Sequence, residues 1–258
     1  MTYRSDAATR ARRRTFGVLR LLAAVTGVVA LVARFEYGLG FSAFASANFF
    51  AYLTVQSNMV AVVANIACGV VALRRASDPW WMPGLRAAVT SFLLVAGIVF
   101  ALLASQAAER GYRLDVPWSD QILHYWLPAY LLLDWLFAPG ERRVSWRIMA
   151  VVVGYPVGWG LVTLVRGPLV GWYPYFFLDP AQVSGFGEFA LFSLAALALF
   201  ALIAALLILE GRFHPLRRLE SAIGMLRLSR AGTAPGNRSR RRWPRPRRAP
   251  RTAGPPRR

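Results

Sequence analysis

At 258 residues, with 56% hydrophobic side chains and a mean hydropathy of +0.41, the chain is too apolar for an ordinary water-soluble domain, where apolar usage runs at about 45–50%. Its net charge of +19 comes from 31 basic residues, all arginine, against 12 acidic ones. A single cysteine, Cys68, excludes an intramolecular disulfide and any cysteine-based zinc or iron–sulfur centre, and no metal or cofactor is expected.

Residues 1–14 form a basic arm with Arg10, Arg12, Arg13 and Arg14. The apolar stretch that follows, Thr15–Phe35, is long enough to span a bilayer and is followed by further spans, so it reads as an uncleaved helix and not as a signal peptide. Five more stretches approach the roughly 20 apolar residues a spanning helix needs: Ala47–Leu73, Leu85–Ser105, Asp120–Ala138, Ser145–Arg166 and Gly187–Leu209. The expected fold is all-α, a polytopic membrane protein with six transmembrane helices over 15–210. These helices lack the continuous polar face that a soluble bundle requires.

Arginine placement sets the expected orientation in the plasma membrane, because positive residues in short loops stay cytoplasmic. The N-terminal arm, the turn with Arg74, Arg75 and Arg86, the turn with Arg142, Arg143 and Arg147, and the C-terminal tail fall on one side of a six-span chain. The other connections carry balanced charge: Glu109, Arg110, Arg113, Asp115 and Asp120 in one, Arg166, Asp179 and Glu188 in the other. Both termini are therefore expected in the cytoplasm.

Polar side chains at membrane depth are expensive and carry most of the information. In the second span, FFAYLTVQSNMVAVVAN places Thr54, Asn58 and Asn65 within about 40° of one another on a helix, with Ser57 at their edge and Gln56 facing away. Hydrogen bonding between helices is the plain reading of such a stripe. The fourth span opens SDQILHYWLPAYLLLDW and contains His124, the one histidine in any expected span. Ser119 or Asp120 is expected to cap this helix, and the Asp120 carboxylate, one turn before His124, is placed to reach the imidazole. At 1.5 Å per residue, Thr54 and His124 both lie about 6–11 Å below the outer surface, so they are able to meet. Asp134 lies about 15 Å deeper, where Arg142, Arg143 or an arginine of another cytoplasmic loop is the expected partner.

The outer loop RGPLVGWYPYFFLDP, Arg166 to Pro180, brings Trp172, Tyr173, Tyr175 and Asp179 to the membrane surface. An aromatic belt accounts for its composition. Gly171, Pro174 and Pro180 would also hold the aromatics in a defined turn, as a lid or lipid-entry collar. From 211 to 258 the chain becomes basic and rich in Pro, Gly and Ser with a lone Trp243, a composition expected to be disordered and to lie along anionic lipid headgroups in preference to nucleic acid. His214 stands beyond the last span, leaving no second histidine for a haem within the bilayer.

YLTVQSN in the second span, LHYWLPAYLLLDW in the fourth and the YPYFFLDP loop together resemble the androgen-induced, androgen-dependent TFPI-regulating family of six-helix membrane proteins and its bacterial branch, over about Thr15–Leu209. The resemblance implies hydrolysis of a lipid ester, a fatty-acid ester of a hydroxy fatty acid, by an intramembrane Thr nucleophile and a His base. Those roles fall on Thr54 and His124, with VQSN after the threonine and the LLLDW ending as departures that suit the bacterial branch. The chemistry is coherent, since a threonine hydroxyl needs a neighbouring base and His124 has a suitable ordinary pKa. Asp120, Gln56 and Asn58 are candidate supporting groups, the last two as oxyanion donors. The alternative is a non-catalytic lipid binder or small transporter in which His124, Asp134 and the Asn stripe line a polar cavity.

Overall fold

A computed structural model describes residues 2–42, 44–109, 116–140 and 143–213 of the chain. The expected disordered tail from His214 onward, with Trp243, lies outside the described residues, as do Arg110, Arg113, Asp115 and Arg142 of the connecting loops.

Among the described residues the protein is all-α. In chain order the helices are α1 (Thr2–Leu39), a short α2 (Ser46–Ala51), α3 (Leu53–Arg74), α4 (Met82–Glu109), α5 (Trp118–Gln121), α6 (Leu127–Phe137), α7 (Ile148–Val170) and α8 (Phe186–Phe213). The basic arm is wound into the same helix as the first apolar stretch. Five helical segments are long and apolar enough to cross a membrane: Ala7–Leu39, Leu53–Arg74, Met82–Ser105, Ile148–Val170 and Phe186–Phe213. The chain is a multi-pass membrane protein. Outward-facing Val25, Val29, Val162, Val165, Leu191 and Leu194 are more than half exposed, a surface that lipid covers and water does not tolerate.

The fourth expected span is helical from Trp118 to Phe137 but not uniformly α: a π-turn, Ile122–Trp126, joins α5 to α6. The second expected span is also interrupted. Tyr52, extended at φ −65° and ψ 129°, separates α2 from α3.

Small residues let the helices approach closely, as membrane helices do without a hydrophobic force between them. A Cβ at Gly69 of α3 would stand 3.0 Å from the Gly17 carbonyl oxygen of α1, and one at Gly27 would press Val62 at 2.8 Å. Helix α4 sits centrally, touching α3, α6, α7 and α8. Phe92 and Leu93 of α4 pack with Leu127 and Leu131 of α6, Val152 of α7 and Phe200 of α8 in the main core.

Toward the end of α6 the packing turns ionic. Asp134 is 4% exposed and pairs with Arg20 of α1 and Arg86 of α4, both at 2.9 Å. Arg86 also donates to the Asp134 carbonyl at 2.7 Å, which accepts the Ala138 N–H as well, and Arg12 donates to the Phe137 carbonyl at 2.6 Å, an acceptor at the end of α6. Where a loop arginine was expected, Asp134 finds both partners inside helices, Arg86 near the start of α4 and Arg20 in α1. It faces the bundle, not the following loop.

Candidate functional site

The break at Tyr52 is built from side chains. It leaves the last carbonyls of α2 without helical partners, and Gln56 Nε2 donates to Phe50 O (2.9 Å) while Trp159 Nε1 donates to Ala51 O (2.9 Å). Gln56 Oε1 in turn accepts the Tyr155 hydroxyl at 2.7 Å. Both ends of the Gln56 amide are thereby engaged in bracing the break against α7, and Gln56 is not among the residues lining the cavity described below.

Restarting the helix at Leu53 puts Thr54 in the first turn of α3, where backbone N–H groups have no intrahelical acceptor. The Tyr175 hydroxyl stands beside this turn, close enough to the Thr54 backbone and side chain for both to favour the ionised phenol. Tyr175 belongs to the loop after α7, which begins at Gly171 in the left-handed conformation (φ +65°) and contains a short 3₁₀ turn, Phe176–Leu178. Its ring is held by Phe177 (5.6 Å, stacked), Trp159 (5.6 Å, edge-on) and Tyr52 (6.2 Å, edge-on). Burial pushes its phenol up to about 12, against the lowering effect of the Thr54 contacts, so it remains a neutral donor at any physiological pH.

The rest of the loop is structural. Trp172 packs edge-on against Tyr52 at 5.2 Å and takes the Arg166 guanidinium over its ring at 5.7 Å. Tyr173 lies over Gly167, where any Cβ would collide with its ring. Asp179 closes a turn by accepting the Ala181 N–H (2.9 Å) and the Gln182 amide (2.7 Å), and these bonds, the Gln182 one foremost, hold its carboxyl below the usual range. Of the four expected loop residues, Tyr175 is the one that reaches the cavity.

His124 owes its place to the π-turn, and the π-turn has an identifiable cause. In a regular helix the residue-128 N–H would bond the His124 carbonyl, but Pro128 has none and its ring crowds that oxygen. The winding widens, the Leu127 N–H bonds Ile122 O, and the His124 carbonyl turns toward α4. Gly97 accommodates it there: a Cβ at that position would collide with the His124 carbonyl oxygen.

The His124 ring stacks on Phe100 (4.1 Å, 21°), and Nδ1 lies 3.0 Å from the Asp120 carbonyl oxygen. The Asp120 carboxylate is 3.9 Å from Nδ1 and is bound instead to Arg34 Nε at 2.8 Å. Nor does it cap the helix. The cap position falls on Pro117, with no side-chain bond to the free N–H groups, because the helix begins at Trp118, ahead of both expected caps. Asp120 therefore acts on His124 through its main chain.

Thr54, Ser57, Asn58, Asp120, His124 and Tyr175 line one cavity of about 490 Å³ with otherwise predominantly aromatic and aliphatic walls, within the size range of small-molecule sites. The asparagines do not bridge helices through their amide nitrogens: Asn58 Nδ2 donates to Thr54 O and Asn65 Nδ2 to Ala61 O, both 2.9 Å and one turn back. Arg34, which also lines the cavity, was not among the residues singled out from sequence. Its signal was present: an arginine at the C-terminal end of the first span needs a partner of matching depth, and Asp120 opens another span.

No known protein family, characterised protein or solved structure matches this chain.

Proposed function

We propose that this protein is a six-pass plasma-membrane enzyme that hydrolyses a lipid ester, with Thr54 as nucleophile and His124 as general base, and with both termini in the cytoplasm. The observation that carries this reading is the shared cavity: the hydroxyl-bearing Thr54 and the oriented imidazole of His124 line one apolar chamber of about 490 Å³. An apolar wall suits an acyl chain, and the polar groups concentrated around Thr54 and His124 suit an ester.

The step balances as follows. Thr54 Oγ attacks the ester carbonyl carbon while its proton passes to His124 Nε2. Collapse of the tetrahedral intermediate breaks the ester C–O bond, and the same proton leaves with the alcohol. Water then attacks acyl-Thr54, giving its proton to Nε2; the carboxylic acid departs and the threonine hydroxyl is restored. The sixth pass is the segment Trp118–Phe137, whose three helical pieces follow one another directly. The substrate enters from the lipid, and the arginine-rich segment after Phe213 lies on anionic headgroups, with nucleic acid disfavoured by its place beside a span.

Labelling of membranes with a fluorophosphonate probe tests the assignment. Thr54→Ala removes the labelled oxygen and abolishes the signal, while His124→Ala slows labelling by about 10²–10⁴-fold, the range for loss of a general base. If both variants label like the parent, the protein is not this enzyme, and the cavity is then that of a non-catalytic lipid binder.

A further inference from the structure

We propose that Tyr175 is a third catalytic residue, whose hydroxyl donates a hydrogen bond to the ester carbonyl oxygen as that atom becomes an oxyanion beside Thr54. The inference rests on the Thr54–His124 reading and deepens it, because a tetrahedral intermediate on Thr54 needs donors that the catalytic pair does not supply.

Tyr175 packs edge-on against Tyr52, two residues before Thr54, which sets its hydroxyl beside the Thr54 side chain and backbone. Tyr175 and Thr54 line the same cavity, so a carbonyl seated over the Thr54 oxygen comes within reach of the phenol. The start of α3 beside it is also electropositive. The Thr54 N–H belongs to the first turn of the 22-residue helix α3, whose N-cap residue, Tyr52, makes no side-chain bond to the free N–H groups. Negative charge is favoured at such an end.

Other candidates are committed elsewhere. One of the two Asn58 Nδ2 hydrogens goes to Thr54 O, and Gln56, which does not line the cavity, braces the α2–α3 break with both amide ends. Tyr175 is also held rigidly between Tyr52, Trp159 and Phe177, which keeps its hydroxyl in place before charge develops. It serves as a donor throughout and is never deprotonated; the protons in transit pass through His124, first from Thr54 to the leaving alcohol and then from water back to the Thr54 oxygen.

The test is Tyr175→Phe in the full-length protein in lipid nanodiscs, which removes the hydroxyl and keeps the ring. Two readouts apply: the rate of fluorophosphonate labelling, and steady-state hydrolysis of 4-nitrophenyl octanoate. The expected result is a fall of about 100-fold in labelling rate and in kcat, with KM and Tm close to the parent's, the pattern of a lost oxyanion donor. Labelling and kcat within about threefold of the parent would overturn the proposal, since even one weak donor contributes more than that. A rate loss that only tracks a lower folded fraction, read from Tm, overturns it equally. Should the parent's label survive Thr54→Ala, the fault lies in the Thr54 reading itself; a label lost in Thr54→Ala but unchanged in Tyr175→Phe isolates the fault to Tyr175.

Discussion

A carbonyl oxygen has no proton to give, so the 3.0 Å contact between Asp120 O and His124 Nδ1 requires the proton to sit on Nδ1. The lone pair is then left on Nε2, the nitrogen a base uses. In a triad of the familiar kind a carboxylate fixes the tautomer, and converting that acid to its amide costs about 10⁴ in kcat. Here the carboxylate belongs to Arg34 and the main chain does the orienting. Asp120→Asn is therefore expected to retain fluorophosphonate labelling within about tenfold of the parent, whereas a triad acid would lose about 10⁴. The same variant weakens a largely buried pair and leaves Arg34 without its carboxylate, which lowers stability by about 1–3 kcal/mol and is read as a drop in Tm in detergent.

Two irregular elements carry the site, and each has a local cause and a distant support. The Tyr52 break places Thr54 at a helix start, and its loose carbonyls are secured by Gln56 and by Trp159 of α7. The π-turn sets His124, and its displaced carbonyl is admitted by Gly97 of α4. Pro128→Ala restores the missing N–H and lets the segment rewind as a regular helix, turning His124 by a fraction of the roughly 100° between successive residues. Labelling is expected to fall sharply while Tm holds or rises, because the substitution removes a helix-breaking residue. Unchanged labelling in that variant would mean that the winding does not position the imidazole.

At the scale of the molecule, ionic pairs stand at both ends of the bundle. Arg34 with Asp120 closes one end of α1, and Arg20 with Asp134 and Arg86 holds the other. Such pairs are costly to bury and do little for net stability, but they penalise any register in which a charge loses its partner. The first pair lies beside the cavity, on the face proposed to be external, and the second lies at the opposite end of the bundle, on the side proposed to be cytoplasmic. Reporters placed after Arg258 and within the loop 171–185 are expected to give opposite signals, cytoplasmic for the first and external for the second. The same side for both would contradict the six-pass arrangement.

The all-α class and the membrane setting were legible because length, hydropathy and arginine placement are one-dimensional properties, and so were the polar positions that lipid makes expensive. Thr54, Asn58, Asp120 and His124 stood out for that reason, and all four line the cavity. What sequence did not decide was which way each polar atom points. Helical phase sends Gln56 away from Thr54, but only packing gives its amide to Phe50 and Tyr155; the spacing of Asp120 and His124 permits a carboxylate contact, but only Arg34 draws that carboxylate aside. Winding was equally hidden, since a Pro128 in a helix can kink, break or widen it, and the choice fell to a glycine on another helix. Cost at membrane depth belongs to each residue alone, whereas the partner that relieves it is a property of the folded neighbours.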